Sequence, residues 1–410
     1  MGLIDVEKVK LDFPTLTREV HPGIPLVYLD SAATALMPRQ VMDAMTEFET
    51  LHRANIHRAV HTMAEEATAA YEAARTEIAD LIGIPNTKEI IFTRNATEAI
   101  NLVVQSWGRA NLKAGDVVLL TEMEHHANLV PWQILAAEIG FELDFIPVTD
   151  GYQLDMPVFY ELLERRKPKM VAVSHVSNVL GTVNPIEEII TAAHADGALV
   201  LIDGAQAVPH LWVDVLDLDA DFYAFSGHKM IGPTGIGVLY GKQALLEAMP
   251  PFLGGGDMIK SVALRSFKAN DLPYKFEAGT PAIGATVGLG VAARYLKQIS
   301  MPLVESHSRR LVDRAIDALS AFPQVHIFGP GKGRQLASVS FVVDGVHPHD
   351  VSQVLDTVGV AVRAGHHCAM PLHTKFNLNA TSRASFSIYN GDDDIEVLVK
   401  GIHKVIDWFA

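Results

Sequence analysis

The sequence predicts an α/β protein with a mostly parallel central sheet flanked by helices, followed by a smaller C-terminal α/β unit. Three observations carry that expectation. From about residue 87 to 241, short β-branched runs alternate with helical patterns. Several of these runs are apolar on both faces, as in Val-Val-Leu-Leu (117–120) and Leu-Val-Leu-Ile (199–202). Strand patterns then return after a long helical stretch. A strand apolar on both faces needs cover on both sides, which helices packed on a parallel sheet provide.

In chain order, the expected strands of the first unit are Glu89–Thr93, Val117–Thr121, Leu143–Val148, Met170–His175, Leu199–Asp203 and Gly235–Tyr240. A helical pattern over Thr97–Asn111 follows the first of them. Phe252 to Gly290 is Gly-rich and carries no dominant period, after which Val291–Ala321 reads as a long helical pattern. The second unit has strands at Ala337–Val343, Gly359–Arg363 and Ala384–Ile388, and helices near His349–Val358 and Asp393–Phe409. There is no internal repeat and no low-complexity linker. The boundary near residue 290 is therefore expected inside a helix.

Bulk properties narrow the function. A chain of 410 residues exceeds the size at which one core stops growing, so two packed domains are expected. With 49% hydrophobic and 20% charged residues, the balance is that of an ordinary globular protein. The net charge of −15 opposes binding to nucleic acid, and no Lys/Arg block offsets it. Met1 to Leu11 has alternating charges and no apolar core, and no run of about 18 apolar residues occurs, so a cytoplasmic protein without a membrane partner is expected. The single cysteine, Cys368, excludes an intrachain disulfide and any site built from several thiolates.

Ligands of open parallel sheets collect outside the carboxyl ends of the strands. Five segments place polar residues there: Thr93-Arg-Asn-Ala-Thr-Glu98, Thr121-Glu-Met-Glu-His-His-Ala-Asn128, His175-Val-Ser-Asn178, Asp203-Gly-Ala-Gln206 and Ser226-Gly-His-Lys229. Each alone has an ordinary structural reading: Thr97 as a helix cap, Asp203 as a loop anchor, Lys229 as a solvated lysine. Together they match what a pyridoxal 5′-phosphate (PLP) site requires. A lysine must bond the cofactor aldehyde, an acid must keep the pyridine nitrogen protonated, and donors must hold the phosphate. Lys229, Asp203 and the group Thr97, Ser226 and His228 fill those roles, with the dipole of the 97–111 helix aiding the phosphate. His126 is expected to stack on the pyridine ring. A metal site at His125-His126 is disfavoured, because adjacent residues seldom point the same way.

These segments resemble the class V aminotransferase-like branch of fold-type I PLP enzymes, and most closely the SufS-type (group II) cysteine desulfurases. The resemblance runs from Tyr28-Leu-Asp-Ser-Ala-Ala-Thr34 to Ala380-Thr-Ser-Arg383, and its most specific part is Arg363-Ala-Gly-His-His-Cys-Ala-Met-Pro371. It implies a fold-type I PLP-dependent transferase that converts L-cysteine to L-alanine, places the sulfur on Cys368 as a persulfide, and serves iron–sulfur cluster assembly. Selenocysteine lyase is the alternative. The implied domains are an N-terminal segment 1–22 packing on the small domain, a large PLP-binding domain 23–290, and a small domain 291–410 carrying the cysteine. The implied residue roles are Lys229 as cofactor anchor, Asp203 at the pyridinium and Gln206 at the phenolic oxygen. His126 would stack on the ring and relay the thiol proton, while Asn178 and Arg383 take the substrate carboxylate. Arg363 and the pair His366-His367 would favour the Cys368 thiolate, whose ordinary pKa is about 8.5. Thr97, Ser226 and His228 would hold the phosphate, with Thr280 reaching across from a second subunit, so a homodimer is implied. The implied sulfur acceptor is a SufE-like or SufU-like protein. Many relatives have Gly-Thr-Thr-Glu where this chain has Asn95-Ala-Thr-Glu98. Ala96 lacks the hydroxyl but keeps its N–H, and Asn95 is expected to sustain a left-handed turn there.

The segment carrying the nucleophile is short, because Cys368 lies five residues after Arg363 and Pro371 follows almost at once. A persulfide on it has little reach, so an acceptor is expected to bring its own thiol, docking where the 252–280 segment meets the Cys368 loop.

Overall fold

The computed structural model describes residues 4–410. Residues 1–3, which open the expected N-terminal segment 1–22, lie outside the described residues. The central sheet has seven strands: β1 (Ile90–Thr93), β2 (Val117–Thr121), β3 (Glu142–Ile146), β4 (Met170–Ser174), β5 (Leu199–Asp203), β6 (Phe222–Ser226) and β7 (Gly237–Gly241). Their spatial order is β1-β7-β6-β5-β4-β2-β3. The pairs from β6 to β3 are parallel, and β7 is antiparallel to both β1 and β6. Only β7 therefore runs against the rest.

Alternate residues of these strands feed two cores. Ile90, Leu119, Val171, Val173, Val200 and Ile202 pack on one face, with α1 (Thr62–Leu81), α4 (Met156–Arg166), α5 (Ile186–Ala195) and α6 (Ile283–Ile299). Ile91, Val118, Leu120, Met170 and Leu201 pack on the other, with α2 (Ala96–Val103) and α3 (His126–Ile139). Each fully buried Val, Leu or Ile stabilises the fold by roughly 1.5–3 kcal/mol. This two-sided burial is why the runs show no polar alternation.

The second sheet has four antiparallel strands, β8 (Val325–Phe328), β9 (Ser338–Val343), β10 (Arg363–Gly365) and β11 (Thr381–Ser385), in the order β8-β9-β11-β10. It shares a third core with α7 (Met301–Ser320), α8 (Pro348–Asp356) and α10 (Asp392–Phe409). Val27 and Leu29 join that core. Lys10 bonds Asp393 at 2.6 Å, and Phe13 packs against the Tyr389 ring at 4.7 Å.

Several elements differ from the sequence-based expectation. β6 and β8 are absent from the expected strands. Phe-Tyr-Ala-Phe-Ser is apolar without a period, and such a short run does not separate strand from buried helix. The expected Gly359–Arg363 strand divides in two: Val360–Ala361 pairs in parallel with Val27–Tyr28, and β10 pairs with β11. The expected strand Ala384–Ile388 begins three residues earlier, at Thr381, where five polar or small residues are all buried. The long 291–321 pattern breaks at Ser300 (φ 86°), with Pro302 in the first turn of α7. A left-handed residue ends one helix, and Pro is tolerated at the start of the next.

Candidate active site

The carboxyl ends of β1, β2, β4, β5 and β6 converge on a cleft of about 180 Å³. It is lined by Ala96, Thr97, His125, Asn178, Asp203, Ser226, His228 and Lys229 from these ends, and by Arg363, His367 and Arg383 from the second sheet. The four-stranded sheet thus closes a crevice that the seven-stranded sheet opens.

Two glycines allow this approach. A Cβ on Gly204 would lie 2.0 Å from the Tyr223 ring, directly after Asp203. A Cβ on Gly237 would lie 2.5 Å from the Asn95 backbone, where the loop before α2 rests on β7. Asn95 itself is extended (φ −177°) and caps α2, its side chain accepting from the Glu98 N–H at 2.9 Å. The expected left-handed turn is therefore absent: a capping residue takes β-region backbone so that its oxygen can reach the first-turn donors. Ala96 donates its N–H to Ser226 Oγ at 2.9 Å, and Thr97 sits in the first turn of α2.

Asp203 ends β5 and is buried. Burial raises its carboxyl pKa, opposed by the Lys229 charge and by the Ala205 N–H at 3.0 Å. Burial lowers the Lys229 pKa, with Asp203 opposing and the Arg383 guanidinium adding to the fall. A lysine held this way gives up its proton more readily than a surface lysine. His228 is also pushed down, to about 4, first by burial and then by Lys229.

The two adjacent histidines part ways. His125 lines the cleft, caps α3 by accepting from the Ala127 N–H at 3.0 Å, and is held neutral, its pKa lowered to about 3 mainly by burial and next by Lys229. His126 faces an outer groove of about 420 Å³ that it shares with Cys368, Val130 and Ile134. His126, expected to cover the cofactor ring, is absent from the cleft lining, whereas His125, one residue before the helix, lines both the cleft and the outer groove. His125 is the site residue that sequence reasoning passes over, and the inward-facing cap position was the signal for it.

Gln206 is buried behind the cleft wall, donating from Nε2 to the Ala32 carbonyl at 2.8 Å. Arg383, in β11, is buried; it donates from Nη1 to the Asn178 carbonyl at 2.8 Å and from Nη2 to Asp30 at 3.2 Å. Its Nε has no partner among the described residues, and burial lowers its pKa to about 10. Thr280 is exposed and lies outside the cleft, in a separate cavity of about 510 Å³ with Arg94 and Glu277.

Cys368 is half-buried at the rim, with Arg363 Nη2 at 3.8 Å from its Sγ. His367 and Cys368 are both left-handed (φ 50° and 58°). Asn178 Nδ2 donates to the His367 carbonyl at 2.6 Å, and the His367 ring meets Thr381 Oγ1 at 3.0 Å. Two left-handed non-glycine residues in succession cost roughly 1–2 kcal/mol each. Such backbone persists only where neighbours over-determine it.

The donor set fits PLP. A depressed lysine stands beside a buried acid, the Asp203 carboxylate has only one donor among the described residues, and the unpaired Arg383 Nε belongs to a residue lining the same cleft. Among the described residues, no group of three or more His, Cys, Asp or Glu side chains is placed to hold a metal ion.

Comparison with known proteins agrees with this geometry. The family model "Aminotransferase class-V" matches residues 27–398. A probable cysteine desulfurase of Streptomyces coelicolor is 48% identical, covering 100% of this chain and 99% of its own length. A cysteine desulfurase of Escherichia coli is 46% identical over 98% of both. Among solved structures, the cysteine desulfurase CsdA of Escherichia coli, in an S-sulfonic acid form, superposes with a TM-score of 0.92 at 40% identity, covering 100% of both chains. A C-DES variant with Gly covalently linked to its PLP cofactor shares the fold, with a TM-score of 0.82 at 22% identity, covering 96% of this chain and 98% of its own. The chain belongs to the class V aminotransferase family, a fold-type I lineage whose cofactor, pyridoxal 5′-phosphate, fits the cleft at Lys229 and Asp203.

Proposed function

We propose that this chain is a PLP-dependent cysteine desulfurase of the SufS type, which moves sulfur from L-cysteine to Cys368 and releases L-alanine. The observation that carries the reading is the placement of its one thiol, fixed in a strained turn at the mouth of a cleft lined by Lys229, Asp203 and Arg383. Bound PLP supplies an electron sink at the substrate Cα. Lys229 would anchor it, Asp203 would keep its ring nitrogen protonated, and His125, which lines the same cleft, would cover the ring. The Ala96 and Thr97 end of α2, with Ser226 and His228, holds the phosphate.

Arg383 and Asn178 receive the substrate carboxylate, for which the guanidinium fork is the natural partner. The Lys229 amine, once free, takes the Cα proton. Cys368 Sγ, with Arg363 Nη2 at 3.8 Å, then attacks the substrate sulfur as the thiolate. The S–S bond forms as the Cβ–S bond breaks, and the electron pair stays with the carbon fragment, which is protonated to alanine. The resemblance to named cysteine desulfurases favours this over selenocysteine lysis.

Coarser context follows the same reading. The enzyme is a cytoplasmic homodimer in which Thr280 of one subunit serves the phosphate site of the other. It divides into 1–22, 23–290 and 291–410, and passes its persulfide to the thiol of a SufE-like or SufU-like protein for iron–sulfur cluster assembly. No helix among the described residues is long and apolar enough to cross a membrane.

The test is Cys368→Ala. The variant should still bind L-cysteine with a spectral change of the cofactor while forming no persulfide, and alanine release should fall by at least about 10²-fold, the scale of a lost nucleophile. Alanine release at the wild-type rate would remove Cys368 from the reaction.

A further inference from the structure

We propose that His126 is a positioning residue that clasps the turn carrying Cys368 through the lone pair on its Nε2. Two hydrogen bonds from this one residue span the nucleophile. Its backbone N–H donates to the Cys368 carbonyl at 2.7 Å, and its Nε2 accepts from the Met370 N–H at 3.1 Å. Asn178 and Thr381 hold His367 on the N-terminal side of the turn, Arg363 Nη2 lies 3.8 Å from Cys368 Sγ, and His373 Nδ1 meets the Ala369 carbonyl at 3.1 Å. His126 holds the side that follows.

The arrangement has a physical purpose. His367 and Cys368 are left-handed in succession, a backbone that relaxes unless both flanks are tied. Met370 opens the short helix α9 (Met370–Lys375), so its N–H is one of the first-turn donors that no carbonyl of the same helix can satisfy. The His126 ring supplies the missing acceptor and thereby joins the starts of α3 and α9 around the thiol.

An acceptor at Nε2 requires a neutral ring protonated at Nδ1. Partial burial, and next the neighbouring His366, lower the His126 pKa and favour the neutral ring, and the Met370 N–H aimed at Nε2 selects the Nδ1-protonated tautomer. Because the ring faces the outer groove rather than the cleft, this role is separate from cofactor stacking.

The proposal rests on the reading of Cys368 as sulfur acceptor, so its test needs one readout that does not. In the PLP-loaded full chain, His126→Phe keeps a ring without an acceptor, and His126→Gln restores an acceptor near the Nε2 position. Two quantities are measured: hydrogen exchange of the peptide spanning residues 366–376, and single-turnover persulfide formation on Cys368 from L-cysteine by mass spectrometry. The Phe variant should exchange faster and form persulfide about tenfold more slowly, the scale of one unsatisfied donor. The Gln variant should recover both to within about threefold of wild type. Wild-type exchange or wild-type persulfide formation in the Phe variant overturns the proposal, as does a Gln variant no better than Phe. If the wild-type chain itself forms no persulfide, the functional reading fails, and the exchange arm alone decides the clasp.

Discussion

Lys229 stands under opposing pressures, since burial and two guanidinium groups disfavour its charge while Asp203 favours it. The balance leaves a pKa below that of a free lysine, which suits an amine that must act as nucleophile and base near neutral pH. Lys229→Ala should therefore lose the yellow absorbance that borohydride traps in the wild type. A borohydride adduct surviving in the variant places the covalent anchor elsewhere. At this scale most of the site was legible, because Lys229, Asp203, Ser226, His228, Asn178, Arg363 and Arg383 all line one cleft. The side-chain direction of His125 against His126 was not, because a single residue step turns a side chain by about 100° once the helix begins. The engagement of Gln206 with Ala32 was equally invisible, since nothing local links positions 174 residues apart.

Elements bring these residues together, and β11 shows how. Thr381, Ser382, Arg383 and Ser385 are fully buried, although the strand was expected to begin only at Ala384. Except for Arg383 Nε, which faces the cleft, their polar groups find partners: Thr381 meets His367 and His373, Ser382 donates to the Pro348 carbonyl, and Ser385 accepts from the Ala32 N–H. Burial of this kind is affordable only when each group is bonded, and that depends on other elements. The junction after β5 gives a test. Gly204→Ala would drive a methyl into the Tyr223 ring, whose hydroxyl bonds His175 Nδ1 at 3.0 Å. We expect a loss of about 1–3 kcal/mol in urea unfolding together with weaker PLP retention. Unchanged stability would mean that Tyr223 has room to move, and that the close approach is not what demands glycine.

For the whole molecule, buried neutral histidines set the response to acid. His210 contacts Ser308 of α7 at 3.1 Å, and His307 of α7 bonds the Asn390 carbonyl at 3.0 Å, so this pair ties the large sheet's surroundings to the second core. Burial lowers both to about 4, and His175 falls likewise. A group that binds protons more weakly when folded contributes stability above its unfolded pKa and loses it on acidification. The window runs from about 6.5 down to about 4, and the fully buried His210 accounts for on the order of 3 kcal/mol. Glu124, raised to about 7 chiefly by burial, works the other way, its contribution lost as pH rises from about 4.5 to 7. The histidines are more numerous, so the urea midpoint should drop between about pH 7 and pH 5, and His210→Asn should flatten that slope. An identical slope in the variant removes His210 as a cause.

The sequence by itself determined the alternation of strands and helices, the two-sided burial of the central sheet, and the residue types that serve a PLP cofactor and a sulfur nucleophile. These follow from local pattern: apolar runs of strand length report cover on both faces, and strand-end residues report the chemistry of the crevice. Tertiary structure alone decided that β6 completes the sheet, that the 291–321 pattern breaks at Ser300, and that buried polar residues form β11. It also decided that His125 faces the cleft while His126 ties down the Cys368 turn. The reason is common to all of these: each depends on which partner, distant in the chain, satisfies a buried hydrogen bond or tolerates a strained backbone, and the chain acquires those partners only when its elements pack.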